Sequence, residues 1–203
     1  MDFKNILIDL IASFLIVSRR FVLLIFTPYK TLRKISFEKD TAQILIIFSF
    51  VFLYFYLSSF LRESAYGSTL IFLIFISQFL LTALFFYLIT RSFDRETTFR
   101  SFIFTLTYSL FPTIIWFFSN SIFYYFLPPP RRLTLGGKFF SVFFIAFSVS
   151  LLVWKAILFF LSVRFSSRLG AYRVFYLILL YLCLFTPLSI LLYQLKIFRI
   201  PFI

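Results

Sequence analysis

The side chains that commonly perform acid–base, nucleophilic or metal chemistry are scarce in this sequence. It contains no histidine and a single cysteine, Cys183, which excludes intramolecular disulfides, thiolate zinc sites and catalysis by a histidine base. Its seven acidic residues all lie outside the long apolar runs. Proton-coupled carriers and intramembrane proteases usually need a carboxylate or a histidine at membrane depth. The sequence therefore predicts a protein that is not an enzyme and that uses no metal or cofactor.

One ionisable residue, Lys155, lies inside an apolar run and is the leading candidate for an intramembrane site. It shares a seven-residue spacing with Ser141, Ser148 and Ser162, so these four side chains lie on one face of a helix. Small hydroxyl residues on such a face favour close helix packing, which is one interpretation. The other interpretation treats Lys155 as a functional residue, because ionisable groups within membrane spans commonly mark sites.

Two prolines at a similar depth supply candidate partners for this lysine. Pro112 and Pro187 lack an N–H group and so free the carbonyl four residues earlier in a helix. Those carbonyls belong to Tyr108 and Cys183, and helical rise places them, like the lysine, about 10 to 14 Å from one membrane face. The predicted intramembrane polar site comprises Lys155, Tyr108, Pro112, Ser148, Cys183 and Pro187. In the alternative, the Lys155 side chain extends toward the membrane surface, so that its ammonium reaches the headgroups.

The elements that would position these residues are membrane-spanning helices. The 203-residue chain is 62% hydrophobic and 13% charged, with a mean hydropathy of +1.03, whereas soluble domains are roughly half apolar and a quarter charged. Five apolar runs reach the about 20 residues needed to cross a bilayer, namely 42–61, 69–90, 101–127, 139–163 and 174–195. All four glycines fall between those runs. We predict an all-α polytopic membrane protein with five transmembrane helices.

Basic residues predict the orientation of these spans. Thirteen Lys and Arg residues lie before the first span, between spans two and three, or between spans four and five, against six on the opposite side. Cytoplasmic flanks are enriched in Lys and Arg. We therefore expect a multi-pass protein of the cell membrane with its N-terminus in the cytoplasm and its C-terminus outside.

The segment 3–26 is apolar but carries a narrow polar stripe. Five polar residues of the stretch from Asp2 to Phe26 fall within an arc of about 80° at 100° per residue, and they are Asp2, Asn5, Asp9, Ser13 and Arg20. Such a helix lies in the plane of the membrane interface, and crossing would bury charges at about 2.5 to 3.5 kcal/mol each. We predict an in-plane amphipathic helix, with a sixth span as the alternative. A cleaved signal peptide is disfavoured because two aspartates interrupt its expected pattern.

A basic linker is predicted to follow this helix. Thr27 and Pro28 mark the end of the helix, and the residues after them that we expect to contact anionic lipid headgroups are Lys30, Arg33, Lys34 and Lys39. Each basic residue near such a surface contributes about 1 kcal/mol. The net charge of +13 is thereby explained by lipid contact, and no nucleic-acid partner is expected.

The start of the first span has its own sequence signal. Asp40, with Gln43 three residues later, is a capping pattern that predicts a helix N-terminus at this point. The chain accordingly divides into residues 1–39, the interfacial helix with its basic linker, and residues 40–203, the five-helix transmembrane domain.

Several short motifs resemble those of the Yip1 domain family. Residues 108–112, Tyr-Ser-Leu-Phe-Pro, resemble the family's Tyr-Ser…Pro signature, and residues 28–33 resemble its Pro-x-x-Thr-x-Arg entry. Trp154 in span four and the glycine-containing loop before span five are also similar, so the resemblance covers roughly residues 20–200. The chain lacks the Asp-Leu-Tyr-Gly-Pro and Gly-Thr motifs of the eukaryotic branch and is most similar to the compact prokaryotic members.

This resemblance implies five spans and a non-enzymatic organiser of membrane or partner proteins, in membrane trafficking or lipid organisation. The alternative function is a small permease or a lipid-translocating protein. A packed, phenylalanine-rich core with only a cytoplasmic crevice would favour the organiser. An open, polar, water-filled path through the bundle would favour the permease.

Overall fold

The computed structural model describes residues 3–61, 66–93, 97–126 and 135–197, and within these ranges the chain folds into helices joined by short connections. The helices are α1 (Phe3–Phe26), α2 (Pro28–Ile35), α3 (Ala42–Leu61), α4 (Ser68–Phe93), α5 (Phe99–Ser109), α6 (Phe111–Phe126), α7 (Leu135–Ser167) and α8 (Ala171–Gln194). The all-α prediction is confirmed for the described chain.

Five segments are long and apolar enough to cross a membrane. They are α3, α4, the combined segment Phe99–Phe126 made of α5 and α6, α7 from Gly136 onward, and α8. At 1.5 Å per residue even the shortest of them, with 20 residues, spans about 30 Å. The prediction of a polytopic membrane protein with five such helices is confirmed.

The third span is the centre of the bundle and is broken in the middle. In its apolar 18-residue stretch 61% of the residues are buried, against at most 33% in the corresponding stretch of each of the other four spans. The break lies at Leu110, whose N–H donates to the carbonyl of Thr107 at 3.2 Å. Pro112, the second residue of α6, explains the break, because it has no N–H to continue the α-helical ladder.

Aromatic side chains fill the core around this span. The largest fully buried side chains include Tyr108, Phe86, Phe102, Phe104 and Phe117. Phe117 stacks on Tyr54 of α3 with ring centroids 3.9 Å apart. Rings of this size each bury a large apolar area, and stacked or edge-to-face pairs add about 0.5 to 1.5 kcal/mol.

Small hydroxyl residues bring α5 and α7 close together. Ser162 of α7 donates to the backbone carbonyl of Thr105 at 2.9 Å, and the Thr105 hydroxyl lies 2.7 Å from that of Ser166. All three residues are buried. Membrane helices, which gain little from apolar burial against each other, associate through such small side chains and interhelical hydrogen bonds.

The helix α2 replaces the linker that the sequence predicted. Its buried residues are Thr31, Leu32 and Ile35, which recur at the spacing of one helical face. Pro28 stands at the helix start, where its missing N–H costs nothing. The eight-residue helix contacts α5 and α7, and the ring of its Tyr29 packs edge-on against Phe165 with centroids 4.7 Å apart. The basic composition of this segment had indicated a linker. The burial of three of its side chains against the rest of the protein explains why it is a helix.

The helix α1 packs against the first half of α3 and against α6. Ser13 contacts Asp40, Arg20 contacts Gln43, and the ring of Phe14 lies 6.4 Å from that of Phe50, about two turns into α3. The ring of Phe21 stacks on Phe111 of α6 with centroids 4.0 Å apart. The end of the bundle where α1 and α2 meet the starts of α3 and α5 and the end of α7 is called the α2 end below.

Candidate functional site

Two serines of the seven-residue stripe on α7 contact the third span. The hydroxyl of Ser148 accepts a hydrogen bond from the indole N–H of Trp116 at 3.2 Å, and Ser162 donates to Thr105. Ser141, near the start of the helix, donates to the carbonyl of Gly137 in its own helix at 2.9 Å. Lys155, between the two bridging serines, therefore points to the same side of α7.

Lys155 lines a narrow cleft between α4, α5, α7 and α8. The cleft has a volume of about 80 Å³, and its polar lining comprises Lys155, Gln78, Thr82, Ser109 and Tyr181. The hydroxyls of Thr82 and Tyr181 are 3.1 Å apart. No hydrogen bond joins the Lys155 ammonium to any part of the chain that the structure describes. A space of this size holds a few water molecules, which suffices to solvate an ammonium group but not to admit a substrate.

The partners predicted for Lys155 are only partly assembled around it. Ser109 and Leu110, at the break in span three, line the cleft. Tyr108 and Pro112 do not, although both are buried. The hydroxyl of Tyr108 instead donates to Gln43 at 2.7 Å. The break in the third span therefore lies beside Lys155, whereas Tyr108 belongs to a different polar cluster.

The partners predicted from span five are absent from the cleft. Cys183 and Pro187 are exposed, and α8 contributes Tyr181 instead. At 100° per residue, Cys183 lies about 200° around the helix from Tyr181, and Pro187 lies about 120° from it. The sequence argument matched depths along the helices but did not compare directions around them, which explains the difference.

A second polar cluster, which the sequence analysis did not anticipate, joins α1 to α3 and α5. The guanidinium of Arg20 forms an ion pair with Glu38 and donates to the Gln43 side-chain oxygen at 2.5 Å. It also lies over the ring of Tyr108, 5.7 Å from the centroid. Gln43 is 1% exposed, and its one oxygen accepts from both Arg20 and Tyr108. Three helices are thus tied together through a single amide.

Asp40 completes this cluster. Its carboxylate accepts the N–H of Ala42 at 3.1 Å, which confirms its predicted role as a cap of α3. It also accepts from the Gln43 amide at 3.0 Å and from the hydroxyl of Ser13 at 2.6 Å. The Gln43 amide therefore donates to the capping carboxylate of Asp40. In a standard capping box the side chain at this position would accept a backbone N–H of the cap residue.

Two members of the polar stripe of α1, Ser13 and Arg20, consequently face the protein, whereas Asp9 is exposed. Ser13, Val17 and Leu24 are buried and Arg20 is half-buried, whereas the apolar residues on the other sides of α1 are exposed. The stripe had been assigned to the headgroup region; Ser13 and Arg20 instead satisfy the polar groups that begin α3. The sequence signal for this lay in Glu38 and Asp40, two acids at the start of the first span to which Ser13 and Arg20 could bond.

The charged groups of the cluster stabilise each other. Burial alone would raise the pKa of Glu38, but the hydrogen bond from Arg20 and the backbone N–H groups of Lys39 and Asp40 outweigh it and hold that pKa below its usual value. The pKa of Asp40 is likewise lowered: its bonds from Ser13, Gln43 and Ala42 outweigh its burial. Burial disfavours the charged form of Arg20, yet Glu38 and Tyr108 leave its pKa raised. The cluster therefore holds its ionised forms.

A larger crevice opens at the α2 end, beside this cluster. Its volume is about 310 Å³, and it lies between the α2–α3 connection, the start of α5 and the end of α7. Lys39, Arg100 and Arg168 line it together with Glu38. Of the two cavities described, this is the one large enough for a small organic group.

Arg20→Gln should destabilise the protein far more than Arg19→Gln. Losing Arg20 leaves Glu38 and Gln43 partly buried without their main donor, which should cost about 2 kcal/mol. Arg19 is exposed and has no hydrogen-bond or ion-pair partner in the described chain, so its loss should cost less than about 0.5 kcal/mol. The melting temperature in detergent, followed by the fluorescence of Trp116 and Trp154, measures both. Equal losses would show that the cluster does not stabilise the fold.

Acidification should weaken the docking of α1. The ordinary pKa values of Glu38 and Asp40 are 4.5 and 3.8, and both are lowered in the folded protein. Their contribution to stability is therefore complete above about pH 4.5 and is lost as the pH falls through the lowered folded values. The melting temperature of the wild type should decline in this acidic range, and a Glu38→Gln, Asp40→Asn double variant should decline less. An equally steep decline in both proteins would assign the effect to other groups.

Comparison of the chain with protein-family models, curated proteins and solved structures finds no match. The resemblance to the Yip1 domain family thus stays a prediction that rests on the short motifs quoted above. The most specific of them, residues 108–112, coincides with the break between α5 and α6.

Proposed function

We propose that this protein is a non-enzymatic organiser of the membrane that gathers anionic lipids, and with them partner proteins, at its cytoplasmic side. The observation that carries the proposal is the contrast between a closely packed aromatic core and a basic, creviced α2 end. Ser148 and Ser162 of α7 bond Trp116 and Thr105 of the third span, and the cleft beside Lys155 has a volume of only about 80 Å³. A closely packed core of this kind supports a protein that organises the membrane rather than one that transports a substrate through it.

The basic surface of α2 supports binding to lipid headgroups. Lys30, Arg33 and Lys34 are exposed on the side opposite the buried Leu32 and Ile35. Lys39 is exposed a few residues later. Cationic side chains on a short helix that is anchored by its apolar face interact with an anionic surface at about 1 kcal/mol each, which favours anionic over zwitterionic lipid around this end.

The surface of α1 supports an in-plane position at the same membrane face. Outside its contact with the bundle the helix exposes large apolar side chains, among them Leu15 at 63% and Phe26 at 76%. Lipid covers such surfaces in a membrane. Ser13 and Arg20 of α1 bond Asp40 and Gln43 at the start of α3, which supports a position of α1 near the level where α3 enters the bilayer. The excess of Lys and Arg on this side supports a cytoplasmic position for that level.

Three glycines make a clean test of this topology. Gly67, Gly136 and Gly170 are exposed with nothing within 4 Å of an added Cβ, so a cysteine fits at each. In a Cys183→Ser background, Gly170→Cys should react with a membrane-impermeant maleimide only from the cytoplasmic side, and the other two only from outside. Labelling of Gly170→Cys and Gly67→Cys from one side would contradict the five-span orientation.

Lipid capture tests the function. With photoactivatable lipids in proteoliposomes, the wild type should capture phosphatidylglycerol several-fold over phosphatidylcholine, and Lys30→Gln with Lys34→Gln should reduce that preference. Lys138→Gln with Lys196→Gln, which removes the same charge from exposed residues at the opposite end, should not. Scrambling of a fluorescent lipid should match that of protein-free vesicles. Absence of the anionic preference would refute the proposal, and accelerated scrambling would support the lipid-translocating alternative.

A further inference from the structure

We propose that the crevice at the α2 end is a specific site for one phosphate group carried by an anionic lipid. This inference rests on the proposed function and narrows it from general surface attraction to a defined pocket. The volume of about 310 Å³ lies at the lower end of the range for ligand pockets, which begins at about 300 Å³. It therefore fits a small headgroup and not an extended molecule.

Three cationic side chains from separate segments line the crevice. Lys39 comes from the α2–α3 connection, Arg100 from the first turn of α5, and Arg168 from the residue after α7. The Lys39 ammonium has no hydrogen-bond or ion-pair partner among the described residues and is exposed. Segments distant in sequence place these charges around one cavity, an arrangement that surface charges on a single helix do not produce.

Contacts within the protein position the Arg100 guanidinium and use few of its N–H donors. One of its guanidinium nitrogens donates to the backbone carbonyl of Lys39, and the guanidinium lies over the ring of Phe104, 5.6 Å from the centroid. A guanidinium has five N–H donors in a planar fork, which matches the oxygens of a phosphate. The contacts to Lys39 and Phe104 thus position Arg100 and leave most of its donors available.

The acidic residue in the crevice is already neutralised. Glu38 lines the cavity, but its carboxylate is ion-paired with Arg20 and accepts the N–H groups of Lys39 and Asp40 at 2.9 and 3.3 Å. Among the described residues that line the crevice, an entering anion therefore meets the cations without a free opposing charge. The cluster that docks α1 in this way also sets the positive character of the crevice.

The N-terminus of α5 adds neutral donors to this charge. Thr98, the residue before the helix, lines the cavity, and its side chain makes no capping hydrogen bond. The first backbone N–H groups of a helix have no intrahelical acceptor, and the helix dipole favours an anion beside them. Here that favourable end coincides with Arg100 in the first turn.

An aromatic side chain favours lipid as the source of the phosphate. Phe37 lines the crevice and is 67% exposed, and Phe165 lines it from α7. A free phosphate ion gains nothing from exposed rings, whereas the glycerol and upper acyl carbons of a lipid can pack against them. The cavity also lies at the start of α5 and the end of α7, which are ends of two candidate spans.

Titration of the full-length protein in detergent with short-chain lipids tests the site. Dioctanoyl phosphatidic acid should bind saturably with one molecule per chain by native mass spectrometry, while dioctanoyl phosphatidylcholine and inorganic phosphate should bind at least roughly tenfold more weakly. Lys39→Gln and Arg100→Gln should each weaken phosphatidic acid binding by roughly tenfold. Lys34→Gln, an equal charge change on α2 outside the crevice lining, should change it by less than about twofold.

The outcomes separate this site from the broader function. Equal weakening by Lys34→Gln and Lys39→Gln would overturn the defined site in favour of general surface attraction, and inorganic phosphate binding as tightly as phosphatidic acid would overturn the lipid assignment. Loss of the anionic preference through Lys30→Gln and Lys34→Gln, by contrast, tests the proposed function alone. Because Arg100 also bonds the main chain, the melting temperature of Arg100→Gln is measured in parallel; Lys39→Gln removes an exposed side chain with no partner to lose.

Discussion

A bilayer offers its embedded polar groups no water, and this constraint governs how the described part of the chain is arranged. Each polar side chain must find a partner within the protein or reach the headgroups. Ser162 and Ser166 find Thr105, and Ser148 finds Trp116. Polar contacts consequently converge on the third span, which is also the most buried one. The outer surfaces of α7 and α8, which face lipid in a membrane, are left to exposed apolar side chains such as Phe139 and Leu182.

The ion pair between Arg20 and Glu38 connects this internal arrangement to the α2 end. It satisfies a charge on α1 that lipid would penalise, and together with Gln43 and Tyr108 it fixes α1 against α3 and α5. It also removes the negative charge of Glu38 from the crevice, where Lys39 and Arg100 remain. Docking of the N-terminal helix and the charge of the neighbouring cavity are therefore two results of one contact, and a change at Arg20 alters both.

Features that depend on one stretch of sequence were predictable, whereas features that depend on pairing between distant stretches were not. The five spans follow from runs of apolar residues, and the cap at Asp40 follows from a four-residue pattern. The face of α7 that bears Ser148 and Ser162 follows from their spacing. The helix α2 and the inward direction of Arg20 depend instead on partners in α5, α7 and α3, which no local pattern reveals. Membrane segments are especially ambiguous in this respect, since a polar stripe can face headgroups or protein with the same periodicity.

The end of α5 contributes to two polar sites. Tyr108 and Ser109 both belong to α5 and lie about 100° apart around it, so they face different neighbours. Tyr108 is directed to Gln43 and the α1 cluster, while Ser109 and the following Leu110, at the break, line the cleft beside Lys155. The irregular turn is tolerated at membrane depth because it is buried in protein, the setting in which non-helical backbone can exist within a bilayer. Pro112 fixes the position of that turn, since it cannot donate to the carbonyl of Tyr108. The α1 cluster and the lysine cleft thus lie at a common level on different sides of the central span, next to the turn whose position Pro112 fixes.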